Sequence, residues 1–362
     1  MKTLKGTALY CGIGYGTEKM KKHLDDAAAV GMNAVFTSLQ LPEADVEATL
    51  RDFPIMAKEA HERGMLVAAD IAARTATKFG IQLSDLLAIK QLGVDIMRLD
   101  GGYNDEEIAA LTRNELGMVI MLNAAQERRL ENICSFEMNK DLVLCCHNYY
   151  PMKYTGLTRA EAKAKNDVIH KYGLRVAGFC SSSTHQRIGC GLGLPTVEEM
   201  RGMDVFAAAQ EMRLLGFDDI FFGDDLADKR EMSTLVEALN GPVTFRMKPL
   251  IDDPVISWLD GRVLYQIGNN LEKIVRSSFC HKPSIYDGDT EVGLGGERKK
   301  GDVTLCKKAL LRYAGEIQLC RTDLPDDPDI GIIGHIIDED IPLLENFKTD
   351  DAWGPPFRMK II

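Results

Sequence analysis

Leu66-Val67-Ala68-Ala69-Asp70-Ile71 is the stretch whose reading decides the fold. Four apolar residues run without interruption and the segment closes on an acid. An apolar run of that length, with no alternation of polar residues, is how a strand reads when both faces of a parallel sheet are covered. Seven further runs share the pattern: Thr7–Gly12, Ala34–Gln40, Ile96–Gly101, Val119–Ala124, Leu142–Asn148, Val176–Ser182 and Asp219–Asp225. A stretch with helical spacing follows each one, for instance Glu18 to Val30 and Ala44 to Arg63. Eight β-then-α units in about 240 residues fit a closed (β/α)8 TIM barrel, in which chemistry sits at the strand C-termini. The polar residues that end each run are therefore the candidates for function.

The rhythm stops at Leu239-Asn240-Gly241-Pro242, a strong turn signal. Beyond it short strand-like runs, among them Val243–Pro249 and Gly331–Ile337, are broken by Gly- and Asp-rich turns. The expected organisation is a TIM barrel over 1–241 and a smaller β-rich domain over 242–362. With 362 residues, 45% apolar and 27% charged, the chain has the composition of a soluble globular protein. A formal net charge of −11 argues against a general nucleic-acid binder. No signal-peptide pattern and no span-length apolar run is visible, so no membrane partner is expected. Nine Cys without metal-type CxxC spacing read as reduced thiols of a cytoplasmic protein. A homo-oligomer is compatible with all of this.

Asp70 ends the third run and Asp100 the fourth. Neighbouring parallel strands lie about 4.8 Å apart. Two carboxylates at matching heights there could stand about 5 Å apart, as in retaining glycoside hydrolases. Either could instead cap the helix that follows. Arg98 shares the face of Asp100 because side chains alternate, and would sit one layer deeper, as an orienting cation or a structural ion pair. Asn123 and the block Cys146-His147-Asn148-Tyr149-Tyr150-Pro151 offer amide, imidazole and aromatic groups of the kind that bind sugars, with His147, Asn148 and Tyr150 as contacts.

Ser181 opens the loop after strand seven, which runs to Arg187 and suits phosphate, a ligand that TIM barrels often hold there. A solvated polar loop is the plainer alternative. Gly223-Asp224-Asp225 ends strand eight, and Asp224 is a candidate for the mouth or for a helix cap. Asp70, Asp100, His147 and Asp224 are ligand types that suit Mg²⁺ or Mn²⁺. No local motif supports a metal, and no cofactor is expected. In the second domain Arg276 and Ser277 form a compact anion-binding set, useful if that domain reaches the barrel mouth.

Several blocks resemble the MupG family, whose type is a bacterial 6-phospho-N-acetylmuramidase. They are Arg98-Leu99-Asp100-Gly101-Gly102-Tyr103, Leu122-Asn123-Ala124, the His147–Pro151 block with Tyr154-Thr155-Gly156-Leu157, and Gly193-Leu194-Pro195-Thr196 with Glu198 and Arg201. Thr37-Ser38-Leu39 and Gly301-Asp302-Val303 also match, so the resemblance spans the chain. It implies a cyclophilin-like β-barrel for the second domain. It also implies cytoplasmic hydrolysis of the β-1,4 bond in a 6-phospho-N-acetylmuramic acid–N-acetylglucosamine disaccharide during peptidoglycan recycling. The phosphate and the lactyl carboxylate of that substrate would meet Arg187, Arg276 or Arg98. Met121 stands where the family often has an acid, and the loops at Gly189-Cys190-Gly191 and Cys11–Tyr15 also depart from the pattern.

The leading expectation is thus a glycosidase acting through Asp70 and Asp100, with a substrate-assisted route as a variant. The alternative is a phosphosugar-binding or regulatory protein that has lost catalysis, which Met121 favours. A Schiff-base aldolase lacks its strand-end Lys.

Overall fold

The computed structural model describes residues 2–99, 101–186, 191–268, 271–277, 285–348 and 353–362. Asp100, Arg187, His281 and Lys282 lie outside them. Eight parallel strands close a barrel in sequence order: β1 (Lys5–Ala8), β2 (Ala34–Ser38), β3 (Leu66–Ile71), β4 (Ile96–Leu99), β5 (Val119–Asn123), β6 (Val143–Cys146), β7 (Arg175–Cys180) and β8 (Asp219–Asp225). β3 and β8 keep the limits expected from the sequence; most of the other strands end sooner, because their polar tails turn into the loops at the mouth.

Alternation divides each strand between two cores. Ala34, Phe36, Ala68, Ile96, Val119, Met121, Leu144, Phe179 and Phe221 fill the barrel interior. Val35, Val67, Met97, Ile120, Val176 and Phe222 face the surrounding helices. Gly6 is needed inside, since a Cβ there would stand 1.9 Å from the Phe221 ring.

Local signals start the helices. Asp45 accepts a hydrogen bond from Ala48 N and caps Val46–Glu62. Thr158 and Glu161 form a reciprocal capping box on Arg159–Lys171. The similar-looking Thr196–Glu199 does not cap a helix. Thr196 is buried, accepting from Phe179 N and donating to the Asn148 carbonyl, so it ties a loop to β7 and to the segment after β6 instead.

The chain divides into two compact units, Met1–Leu239 and Asn240–Ile362. The second unit is a smaller closed barrel of β9 (Val243–Pro249), β10 (Val263–Ile267), β11 (Ile274–Ser277), β12 (Asp302–Cys306), β13 (Ile317–Cys320), β14 (Ile330–Ile336) and β15 (Trp353–Ile361). The strands are ordered β10-β11-β13-β12-β14-β9-β15, and β15 runs parallel to β9 in an otherwise antiparallel ladder. Among the described residues seven cysteines are free thiols, and burial pushes Cys11, Cys146, Cys306 and Cys320 up to about 12.

Candidate active site

Ser38, Asp70 and Arg98 occupy one row across β2, β3 and β4, with Ser38 opposite Asp70 and Asp70 opposite Arg98. All three belong to the inward-facing set of their strands, so strand spacing alone brings them together. Asp70 Oδ2 accepts a hydrogen bond of 2.9 Å from Gln40 Nε2 and one of 3.3 Å from Ser38 Oγ. Arg98 Nη1 lies 3.4 Å from the same oxygen. Arg98 Nη2 donates to Asn148 Oδ1, which anchors the guanidinium between β3 and the end of β6. Asp70 and Arg98 are each only 8% exposed.

This cluster opens into a pocket of about 240 Å³, lined by Phe36, Asp70, Arg98, Asn148, Tyr149, Tyr150 and Phe179. The aromatic rings interlock edge to face, Phe36 on Phe179 at 5.0 Å and Tyr149 on Phe179 at 5.2 Å. The Tyr149–Gly156 segment is braced from behind. Tyr150 N donates to Pro195 O, and Arg201 Nη2 donates to the Tyr150 carbonyl. Glu198 accepts from Arg201 and from the backbone N–H groups of Tyr154 and Gly156. Hydrogen bonding from Arg201 is the main reason its carboxyl falls to about 2, with burial opposing and the two N–H groups adding. Charge-assisted bonds of this kind make the pocket wall rigid.

The structure brings Asp70, Arg98, Asn148 and Tyr150 together and places the other described candidates elsewhere. In the register of β3 on β4 Asp70 stands opposite Arg98; Asp100, its expected partner, lies outside the described residues. The structure corrects the reading of His147. That residue falls on the outward parity of β6, is 1% exposed, and its Nε2 pairs with Asn166 Oδ1 at 2.8 Å under the helix Arg159–Lys171. Asn123 caps a turn, accepting from Ala125 N, and lines a separate small cavity beside Tyr103 and Arg129. Asp224 faces outward and accepts from Ser182 N and Leu194 N, so it staples two loops. With His147 and Asp224 turned out of the mouth, the four-residue metal set is not assembled.

Ser181 is buried beside Gly193 and is not among the residues lining the pocket. The hydroxyls that follow it already hold an anion. Glu231 accepts from Ser182 Oγ, Ser183 N, Ser183 Oγ and Thr184 Oγ1 at 2.5–2.6 Å. Burial works against that carboxyl's charge, but these hydrogen bonds outweigh it and hold its pKa below the usual value. In the second unit Arg276 is gripped at 2.8 Å by both oxygens of Glu316. Ser277 is buried and accepts from Ile317 N.

Two residues of this site, Ser38 and Gln40, were not among the candidate contacts, and at strand eight the inward carboxylate is Asp225 rather than Asp224. Ser38 and Gln40 complete the Asp70 cradle, and their position at the end of the second apolar run was the available signal. Asp225 continues the inward parity of Phe221. It accepts from Tyr15 at 2.6 Å and has His185 Nδ1 at 3.6 Å. Met121 is a fully buried core side chain in register with Arg98.

An inward carboxylate ringed by hydroxyl, amide and guanidinium donors, above an aromatic floor, equips this barrel for sugar chemistry. The N-terminal model of the 6-phospho-N-acetylmuramidase (MupG) family matches residues 5–237, and its C-terminal model matches residues 268–354. The chain belongs to that family and is an enzyme of the glycosidase class. Its fold is shared with an uncharacterised B. cereus protein, at 26% identity over 100% of both chains and a TM-score of 0.84. A conserved Enterococcus faecalis protein of unknown function is similar at 24% identity, covering 99% of this chain and 96% of that one, with a TM-score of 0.70. No curated protein matches the chain in sequence. No helix among the described residues is long and apolar enough to cross a membrane.

Proposed function

We propose that this protein cleaves the β-1,4 bond between 6-phospho-N-acetylmuramic acid and N-acetylglucosamine, in the cytoplasm, during peptidoglycan recycling. The observation that carries the reading is the Asp70 cradle at the barrel mouth. Donors from Ser38, Gln40 and Arg98 converge on one carboxylate oxygen. That setting suits an anionic oxygen, so Asp70 acts as the nucleophile or as the group that orients the substrate's acetamide for internal attack. Asp100, two residues beyond Arg98, is proposed on sequence grounds as the proton donor. Asn148 and Tyr150 contact sugar hydroxyls.

Among the described residues lining this pocket Arg98 is the one cation, and it serves an anionic group of the substrate. The carboxylates already held by Arg276 and by Ser182–Thr184 make those groups weaker candidates for phosphate. Incubation with the 6-phospho disaccharide should release N-acetylglucosamine in proportion to enzyme. Tight binding without release would favour the carrier alternative, and neither binding nor release would reject the substrate.

A further inference from the structure

A second cavity, also of about 240 Å³, lies beside the Asp70 pocket, with Leu39, Gln40, Pro42, Thr75, Lys78 and Phe79 in its wall. It is built from the loop after β2, the start of the helix Val46–Glu62 and the short helix Ala73–Lys78. One hydrogen bond links the walls of the two cavities: Gln40, which lines the second, donates to Asp70, which lines the first. Small-molecule sites usually enclose roughly 300–1,000 Å³. Each cavity alone falls short of that range, and the two together fall inside it. A two-ring substrate spanning both would carry its scissile bond past Asp70, which lines the first cavity and is bonded to the wall of the second.

We propose that the second cavity is the leaving-group subsite, which receives the uncharged amino sugar while the phosphorylated sugar occupies the Arg98 pocket. This rests on the glycosidase reading above. Charge sets the order of the two rings. The buried cation, Arg98, belongs to the first cavity, whereas the cation of the second, Lys78, is exposed. Lys78 extends towards solvent and is not held in the wall by burial. Phe79 and Pro42 give the wall apolar contacts for a sugar ring, and Gln40 and Thr75 give polar groups for its hydroxyls. Hydrolysis then breaks the glycosidic C–O bond. Water's oxygen ends on the anomeric carbon, and the leaving oxygen takes a proton and departs into this cavity as a free hydroxyl.

Val46 also lines the cavity and is 42% exposed, so Val46→Trp fills it from the solvent side. Wild type and variant are compared on the disaccharide and on the methyl glycoside of 6-phospho-N-acetylmuramic acid, whose leaving group needs no subsite. The expected result is a loss of about tenfold or more in kcat/KM on the disaccharide, with the methyl glycoside changed by less than about twofold. Equal loss on both substrates, or no loss on the disaccharide, overturns the subsite. Independently of any variant, wild-type crystals soaked with N-acetylglucosamine should show the sugar against Phe79 and Gln40; a sugar bound elsewhere, or none, overturns it. A wild type that releases nothing from the disaccharide brings down the glycosidase reading and the subsite with it, whereas normal release with an unaffected Val46→Trp brings down the subsite alone.

Discussion

Arg98 and Asp70 are register partners on adjacent strands, and the guanidinium Nη1 sits 3.4 Å from the carboxylate Oδ2. The same guanidinium reaches Asn148 with its other terminal nitrogen. One planar cation therefore fixes the end of β3 relative to the segment after β6, across two intervening strands.

Lysine has one compact charge and cannot hold both partners. Arg98→Lys should lower kcat/KM on the phosphorylated disaccharide by about 10- to 100-fold, the equivalent of a lost charged hydrogen bond. The protein should still unfold cooperatively. Activity within a factor of about two of wild type would show that the fork is not needed.

His147→Ala should cost stability and spare chemistry. Its imidazole is buried against Phe217 and bonded to Asn166, which in turn donates to the Leu215 carbonyl. Denaturant unfolding should show a loss of about 1–3 kcal/mol, with KM unchanged. A raised KM at constant stability would return His147 to the substrate site.

Glu231 acts as a resident anion for the loop after β7. Glu231→Ala should destabilise the protein and leave the Ser182–Thr184 donors without their acceptor. Inorganic phosphate should then raise the melting temperature of the variant more than that of the wild type, because an anion that binds only the native state stabilises it. Identical responses of the two proteins would refute the resident-anion role.

His23 gives a pH dependence. Burial, the largest effect, holds its pKa at about 4, well below the ordinary 6.5, and its Nε2 pairs with Thr7. The unfolded chain binds the proton more readily, so this residue destabilises the fold progressively as pH falls from about 6.5 towards 4. His23→Gln can keep a bond to Thr7 without titrating. Its melting temperature should fall less than that of the wild type between pH 7 and pH 4.5, and parallel curves would show that His23 does not contribute.

The barrel was legible because parallel strands buried on both faces leave unbroken apolar runs. Leu66–Ile71 and Asp219–Asp225 could be delimited to the residue. Position around the mouth was less legible. Alternation was applied to Arg98, but at the end of β6 it decides between neighbours, sending Asn148 inward and His147 outward. At β8 it separates Asp224 from Asp225 in the same way, next to a shift in register against β1. Register between strands depends on barrel tilt, which no local pattern encodes, and so Asp70 met Arg98. Glu231 reaches the Ser183 loop from 48 residues away, a contact that composition cannot announce. In the second unit the short, turn-broken strands marked a β-rich domain without revealing their order.

The central claim is that the carboxylate of Asp70 takes part in bond cleavage. Asp70→Asn keeps an oxygen towards Gln40 and Arg98, so the pocket should retain its shape and the protein its fold. Measured by N-acetylglucosamine released from the 6-phospho disaccharide, turnover should fall by about 100- to 10,000-fold with the melting temperature little changed. Turnover equal to that of wild type would contradict the account.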